Sequence, residues 1–132
     1  MMTTTVPTWV EEQFQAMDEA RDAHQYLRHF TPDAEIRFGS SPPVAARDNL
    51  LASVQQYFAL YSKTKHEVKA SWQSGSTVFV EGTISYTLQD GSTFTFPFFN
   101  KYERQGDAIQ RLDIFVDLSP MMPKLMQLME RQ

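Results

Sequence analysis

The 132-residue chain contains no cysteine. Disulfides, thiolate metal sites and cysteine nucleophiles are therefore excluded. No basic run is present and the formal net charge is −4, so nothing in the composition favours nucleic-acid binding. No apolar run resembles a signal peptide or approaches the ~20 residues of a membrane span. We therefore expect a cytoplasmic protein that binds neither nucleic acid nor a membrane.

The three histidines and the acids lack metal-ligand spacing, so neither a metal nor another cofactor is expected. The hydrophobic content of 42% and the aromatic content of 13% are typical of a packed globular core. The length predicts one domain over residues 1–132.

The first third of the chain has a helical period. Apolar residues from Val10 to Phe30 recur at helical spacing, which predicts one long helix or two helices with a bend near Asp18. A short strand is expected at 34–38, and another helix follows Asp48.

From His66 the period changes to two and stays so for roughly fifty residues, which predicts an antiparallel meander. Asp90-Gly91 and Gly106-Asp107 are expected hairpin turns. Ser119-Pro120 predicts the start of a C-terminal helix at about 120–130, after a domain core at about 8–118. Its Met-rich stripe indicates either a lid or ordinary packing.

Side chains two positions apart on a strand share a face. This spacing predicts an apolar surface that ends in one amide, formed by Phe94, Phe96, Phe98 and Asn100. Neighbouring strands and helices carry matching apolar stripes. We therefore expect a small-molecule cavity. Its predicted lining comprises Phe14, Phe38, Phe58, Ile84, Tyr86, Phe98, Asn100 and Ile114.

Two residues are candidates for moving a proton. His66 is in phase with Val68 and Trp72, which predicts a general base at the cavity rim or, alternatively, a strand-edge histidine bonded to a neighbour. Asp117 ends its strand near the expected mouth, but it shares a face with Arg111 and a surface charge ladder is the other interpretation.

The opposite phase of the meander is polar apart from Phe79, Phe99 and Phe115. Aromatic anchors in a polar surround are typical of protein interfaces. A homodimer through this outer face is therefore expected.

Several short motifs and their order resemble one known superfamily. They are Phe30-Thr31-Pro32-Asp33-Ala34, the loop to Arg47, Glu81-Gly82-Thr83, Tyr86 with Asp90-Gly91, Phe96-Pro97-Phe98 and Ile114-Phe115-Val116-Asp117. The chain resembles the SnoaL-like branch of the nuclear-transport-factor-2-like fold, shared with ketosteroid isomerase, scytalone dehydratase and limonene epoxide hydrolase. The resemblance implies an α+β, cone-shaped domain in which a curved antiparallel sheet wraps around N-terminal helices.

The same resemblance weakens the simplest enzyme hypotheses. The positions matching the isomerase's proton-transfer residues are Phe14, Asn100 and Phe38, of which only Asn100 keeps a donor. The positions matching the epoxide hydrolase's aspartates are Ile84 and Ile114. Asp113, one residue out of phase, is expected on the opposite face.

The leading hypothesis is a SnoaL-like protein that binds or transforms a small hydrophobic molecule, such as a polyketide- or terpenoid-like carbonyl compound. If it is an enzyme, the resemblance implies a cofactor-independent isomerase, cyclase or dehydratase. Asn100 and Tyr86 would then polarise the substrate oxygen, while His66 or Asp117 moves the proton. The alternative is a non-catalytic ligand-binding or dimerising scaffold domain of the same fold.

Overall fold

The computed structural model describes residues 6–130. Three short helical segments lead into a long sheet, and a further helix closes the chain. The elements are α1 (Thr8–Gln15), a π-helical segment (Ala16–Ala20), α2 (Ala23–Leu27), β1 (Phe30–Phe38), β2 (Val44–Ala45), α3 (Arg47–Leu60), β3 (Lys63–Ser74), β4 (Thr77–Thr87), β5 (Thr93–Gln105), β6 (Ala108–Phe115) and α4 (Met122–Glu130).

The six strands form one curved, unclosed sheet in the order β2-β1-β6-β5-β4-β3. The meander β3 to β6 is antiparallel, as the alternation predicts. Strand β1 lies outside the meander and is longer than expected. It pairs with β6 in parallel, with Phe38 opposite Ile114. A parallel pair needs a long connection between its strands, and the meander provides it. The α+β class and the single domain are confirmed.

The predicted bend near Asp18 is present as the π-helical segment. It ends at Arg21, whose φ of 50° lies in the left-handed region that ends a helix. The guanidinium of Arg21 donates to the carbonyls of Phe58 and Tyr61 at the end of α3, at 2.8 and 2.6 Å. This contact fixes the N-terminal helices against the chain that enters β3.

A β-bulge changes one predicted face. The register of β3 against β4 shifts between Val68 and Ala70, so residues beyond the shift point to the opposite side. The prediction that His66 and Trp72 share a face is therefore wrong. The Trp72 ring lies on the outer face, 6.5 Å from that of Phe99, while His66 remains on the inner face.

The core lies between the inner face of the sheet and the helices, with Val10, Leu27, Leu50, Tyr86 and Leu112 almost fully buried. The C-terminal helix begins at Met122, later than predicted, because residues 119–121 form a turn. Within residues 6–130, no helix has the length and apolar character needed to cross a membrane.

Candidate functional site

A cavity of about 150 Å³ lies between the helices and the inner face of the sheet. Its wall is mostly apolar. The lining residues are Phe14, Met17, Tyr26, Ile36, Phe38, Ser41, Pro42, Val44, Leu50, Ser53, Val54, Tyr57, His66, Ile84, Tyr86, Phe98, Asn100, Ile114 and Val116. Ser41, Pro42 and Ser53 are exposed, so the mouth lies between the β1–β2 loop and α3.

Seven of the eight residues predicted to line the cavity lie on its wall, namely Phe14, Phe38, Ile84, Tyr86, Phe98, Asn100 and Ile114. Their role in binding a ligand remains a prediction. Phe94 and Phe96 share the face but extend past the cavity, where Phe96 packs against Tyr86 at 6.1 Å. The phenylalanine wall is therefore shorter than its sequence pattern predicts.

Phe58 is the predicted lining residue that lies elsewhere. The stripe of α3 that faces the sheet runs Leu50, Val54 and Tyr57, and Phe58 is rotated about 100° from Tyr57 around the helix. Its ring packs beneath the guanidinium of Arg21, at 5.2 Å. Tyr57 lies on the cavity wall where Phe58 was predicted, and it adds a hydroxyl that was not predicted.

His66 lies on the cavity wall with its ring held between two phenylalanines. The ring stacks on Phe14, with centroids 4.2 Å apart and planes 12° from parallel. Phe98 meets it edge-on, with centroids 5.5 Å apart. Both aromatic contacts restrict the ring to one orientation, so His66 is fixed in position as well as buried against apolar groups.

The carboxylate of Asp18 lies behind this ring and was not predicted from the sequence. His66 Nδ1 is 2.8 Å from Asp18 Oδ1, and the His66 backbone N–H donates to Oδ2 at 2.7 Å. The Thr64 hydroxyl donates to Oδ1 at 2.8 Å. A carboxylate only accepts, so Nδ1 carries the hydrogen and Nε2 is the nitrogen left to accept a proton from a ligand.

Asp18 reaches β3 because of the π-helical segment. The wider turns of π-helices recur at functional sites. This one directs Asp18 towards Thr64 and His66, which lie 46 and 48 positions later in the chain. An acid at a predicted helix bend, opposite the start of a meander, is the only signal in the sequence for this pair. Asp18 also borders a shallow acidic depression with Glu11 and Glu19, so His66 separates the apolar cavity from a polar surface.

Two tyrosines form the second polar spot in the cavity. The rings of Tyr57 and Tyr86 lie side by side, with centroids 6.2 Å apart. Burial raises the pKa of both phenols well above the ordinary tyrosine range, so both stay protonated at neutral pH. Each protonated hydroxyl is therefore able to donate to a ligand oxygen.

Asn100 forms the third polar spot, and its amide has the orientation opposite to the one expected. Nδ2 donates to the hydroxyl of Tyr102 at 3.2 Å, while Oδ1 is buried with no partner among the described residues. Strand register places Asn100 opposite Val80 and Tyr86 opposite Phe94, so the two polar side chains are not cross-strand partners. The unpartnered atom of the Asn100 amide is therefore an acceptor, not the donor that was expected.

Asp117, the second candidate for moving a proton, is not among the residues that line the cavity. It is exposed, and its carboxylate accepts the Ser119 backbone N–H at 3.0 Å, a bond that lowers the pKa of the carboxyl. Asp117 borders an outer-face depression with Phe99 and Phe115. Its position gives no support to a role in proton transfer inside the cavity.

Asp113 lies on the outer face, as strand phase predicts, with its neighbour Ile114 in the cavity. Its carboxylate is 2.9 Å from Arg37 Nε and 3.1 Å from Arg111 Nε. The hydrogen bond from Arg111 lowers the pKa of the Asp113 carboxyl, against the opposing effect of burial. Among residues 6–130, no group of three or more His, Asp or Glu side chains is arranged to hold a metal.

Comparison with known structures defines the class first. A nuclear-transport-factor-2-like protein of unknown function from Burkholderia pseudomallei matches with a TM-score of 0.78 and 17% identity, over 87% of this chain and 92% of that one. A Catenulispora acidiphila protein with a ketosteroid isomerase-like fold, solved with trimethylamine, matches with a TM-score of 0.79 and 14% identity, over 87% and 89%. The fold is therefore nuclear-transport-factor-2-like.

The family follows from the sequence match. The SnoaL-like domain model matches residues 10–112, and the chain belongs to this family. A structure described as a putative SnoaL-like polyketide cyclase, from a Jannaschia species, matches with a TM-score of 0.72 and 14% identity, over 91% of this chain and 93% of that one. A search of curated proteins found no significant match.

Proposed function

We propose that this SnoaL-like protein moves a proton on a small apolar carbonyl compound, of polyketide- or terpenoid-like character, bound in the cavity. The observation that carries the proposal is the pairing of His66 Nδ1 with Asp18 at 2.8 Å, on the wall of an otherwise apolar cavity. A fixed histidine with a free Nε2 is the arrangement that general-base catalysis needs.

The tyrosine pair supplies the second half of the chemistry. His66 Nε2 takes a proton from the carbon next to the carbonyl. The electron pair of that C–H bond forms the C=C bond of an enolate, and the π pair of the carbonyl moves onto its oxygen. The Tyr86 hydroxyl hydrogen-bonds to the enolate oxygen that forms. Tyr57 lies beside Tyr86, with ring centroids 6.2 Å apart, and adds a second protonated hydroxyl to this part of the wall. In an isomerase, His66 then returns the proton to carbon. Formation of the enolate is the step that isomerases share with cyclases and dehydratases.

The size of the cavity limits the ligand. A cavity of about 150 Å³ lined by apolar side chains is large enough for a benzene-sized molecule. The part of the substrate that enters is therefore one ring or its open-chain equivalent. A larger substrate has to leave its remainder at the mouth, near Ser41, Pro42 and Ser53.

Deuterium exchange tests the proposal without knowledge of the natural substrate. Cyclohexanone is incubated with the protein in D₂O, and loss of its α-protons is followed by NMR. We expect exchange above the buffer rate, reduced about 100-fold or more by His66→Gln. Asp18→Asn, which removes the negative charge that stabilises the protonated ring and can turn an N–H donor towards Nδ1, should reduce it about tenfold or more.

The matched control is His24→Gln, at an exposed histidine on α2. It should leave the exchange rate unchanged. Cyclohexanone that binds with equal affinity to all variants but exchanges only at the buffer rate would favour the alternative, a non-catalytic ligand-binding domain. Equal rates in wild type and His66→Gln would contradict the role of His66.

We also propose a homodimer formed through the outer face of the sheet. The support is an aromatic cluster there: Phe79 and Phe99 are 5.8 Å apart, Trp72 is 6.5 Å from Phe99, and Phe115 is 42% exposed. Sedimentation at micromolar concentration should give a dimer for wild type and a monomer for Phe115→Glu. Met126→Glu, at an exposed position of α4, is the control and should remain dimeric. A wild-type monomer would contradict the proposal.

A further inference from the structure

Asn100 is a buried polar residue whose hydrogen-bonding capacity is half used. The side chain is 4% exposed and lies on the cavity wall. Its Nδ2 donates to Tyr102, and Oδ1 has no partner within the described part of the chain. A buried acceptor that has lost its water and gained no partner is unfavourable, so a ligand that donates to it binds more tightly.

The partner of the amide is the hydroxyl of Tyr102, which accepts from Nδ2 at 3.2 Å. This ring is 1% exposed and packs edge-on against Trp9, with centroids 5.1 Å apart. The guanidinium of Arg104 covers the other ring of that pair, 4.4 Å from the centroid of Trp9. The hydroxyl of Tyr102 is therefore held in place, and its bond to Nδ2 leaves Oδ1 as the amide atom without a partner among the described residues.

We propose that the cavity selects a one-ring ligand bearing a hydrogen-bond donor, a hydroxyl or an N–H group, which Asn100 Oδ1 accepts. The inference rests on the proposed function of the cavity as a ligand site and adds a substrate class to it. Asn100 recognises the donor, while Tyr86 and His66 act on the carbonyl part of the ligand. An enol, a phenol or a hydroxylated cyclic ketone fits this pattern, and a simple ketone or hydrocarbon lacks the donor.

Three single-ring ligands test whether the cavity prefers a hydrogen-bond donor. Phenol carries a donor, toluene has no polar group, and benzaldehyde has only an acceptor. Dissociation constants are measured by NMR titration for wild type and for Asn100→Leu. The ratio of the toluene to the phenol constant should be about tenfold larger in wild type than in Asn100→Leu. Comparing ratios cancels the different hydration of the free probes.

Two further variants assign the contact. His66→Phe removes the ring nitrogens of another residue on the cavity wall that can accept a hydrogen bond, and it should keep the preference for phenol. Tyr102→Phe releases Nδ2, so the amide can turn, and the preference for phenol over benzaldehyde should fall. This second variant also tests the proposal if Asn100→Leu does not fold.

Equal ratios in wild type and Asn100→Leu would overturn the proposal. So would a preference for phenol that disappears in His66→Phe, because the donor would then bind to histidine. A wild-type preference for benzaldehyde that Asn100→Leu removes would show that Nδ2 faces the cavity. Failure of all three probes to bind wild type would contradict the proposed function itself, and this inference with it.

Discussion

The two faces of the sheet use polar side chains in opposite ways. On the outer face, Asp113 forms an ion pair with Arg37 and accepts hydrogen bonds from Arg111, whose Nη1 also donates to Glu35 at 2.9 Å. On the inner face, Asn100 Oδ1 has no partner among the described residues, and His66 has one ring nitrogen left after bonding to Asp18. Polar groups that satisfy one another stabilise the fold, whereas polar groups held open in an apolar cavity are available to a ligand.

The largest effect on stability is expected at Gly82, which allows β3 and β4 to approach on the inner face. A Cβ there would lie 2.0 Å from the Glu67 carbonyl oxygen and 3.0 Å from the Phe98 ring. Gly82→Ala should therefore lower the free energy of unfolding by about 2–3 kcal/mol, because backbone has to move. Chemical denaturation measures it.

The control for Gly82 is Thr83→Ala, on the same strand and the opposite face. The Thr83 hydroxyl makes only a long 3.5 Å contact with Glu67, so a change below about 0.5 kcal/mol is expected. A loss at Gly82 no larger than at Thr83 would show that the two strands adjust freely, and that the inner face is less rigid than the site requires.

Asp113→Asn tests the outer face and should have an intermediate effect. At neutral pH it should lower the free energy of unfolding by about 1–2 kcal/mol, since hydrogen bonds to charged groups are weakened. Because the folded-state pKa of Asp113 is lowered from 3.8, its contribution is present above the unfolded-state pKa and is lost as pH falls through the folded-state pKa.

The difference between wild type and Asp113→Asn should therefore be constant at neutral pH and shrink below about pH 4. Thermal unfolding between acidic and neutral pH measures it. A difference that does not change with pH would mean that the carboxylate charge contributes nothing, and that Asp113 is held by packing alone.

Asn100→Leu should have a smaller effect on stability than Gly82→Ala or Asp113→Asn, although the residue is as buried as Asp113. The substitution removes an unpartnered oxygen, which offsets the lost bond to Tyr102, so the change should stay within about 1 kcal/mol. Calorimetry of the ligand-free protein measures it. A loss as large as that of Gly82→Ala would identify the amide as a structural group and remove the contrast between the two faces.

Much of the fold could be predicted because it depends on local periodicity. The alternation in β4 to β6 identifies the inner face, including Ile84, Phe98, Asn100 and Ile114. The bulge in β3 could not be predicted, since no local residue pattern marks it, and it moved Trp72 to the outer face. The existence of helix α3 was predicted, but it begins at Arg47, and Asp48 lies in its first turn and does not cap it. Its sequence fits two apolar stripes one position apart, and the prediction chose the stripe with Phe58 over the one with Tyr57.

The site was harder to predict for two reasons. Some of its contacts join residues that are distant in the sequence, and others depend on which atom of a side chain faces which partner. The bond between Asp18 and His66 joins residues 48 apart and needs a π-helical turn that periodicity does not indicate. The orientation of the Asn100 amide depends on Tyr102, two residues along the same face. Strand phase identified the residues involved, and side-chain geometry decided what each can do.

Intermolecular NOEs between cyclohexanone and the aromatic side chains test the central claim most directly, because each face has its own aromatic rings. The account predicts NOEs from the ligand's protons to the carbon-bound ring protons of His66, Phe14 and Phe98, which line the cavity. NOEs to Phe79, Phe99 and Phe115 alone would place the ligand on the outer face and contradict the assignment of the inner face as the functional one.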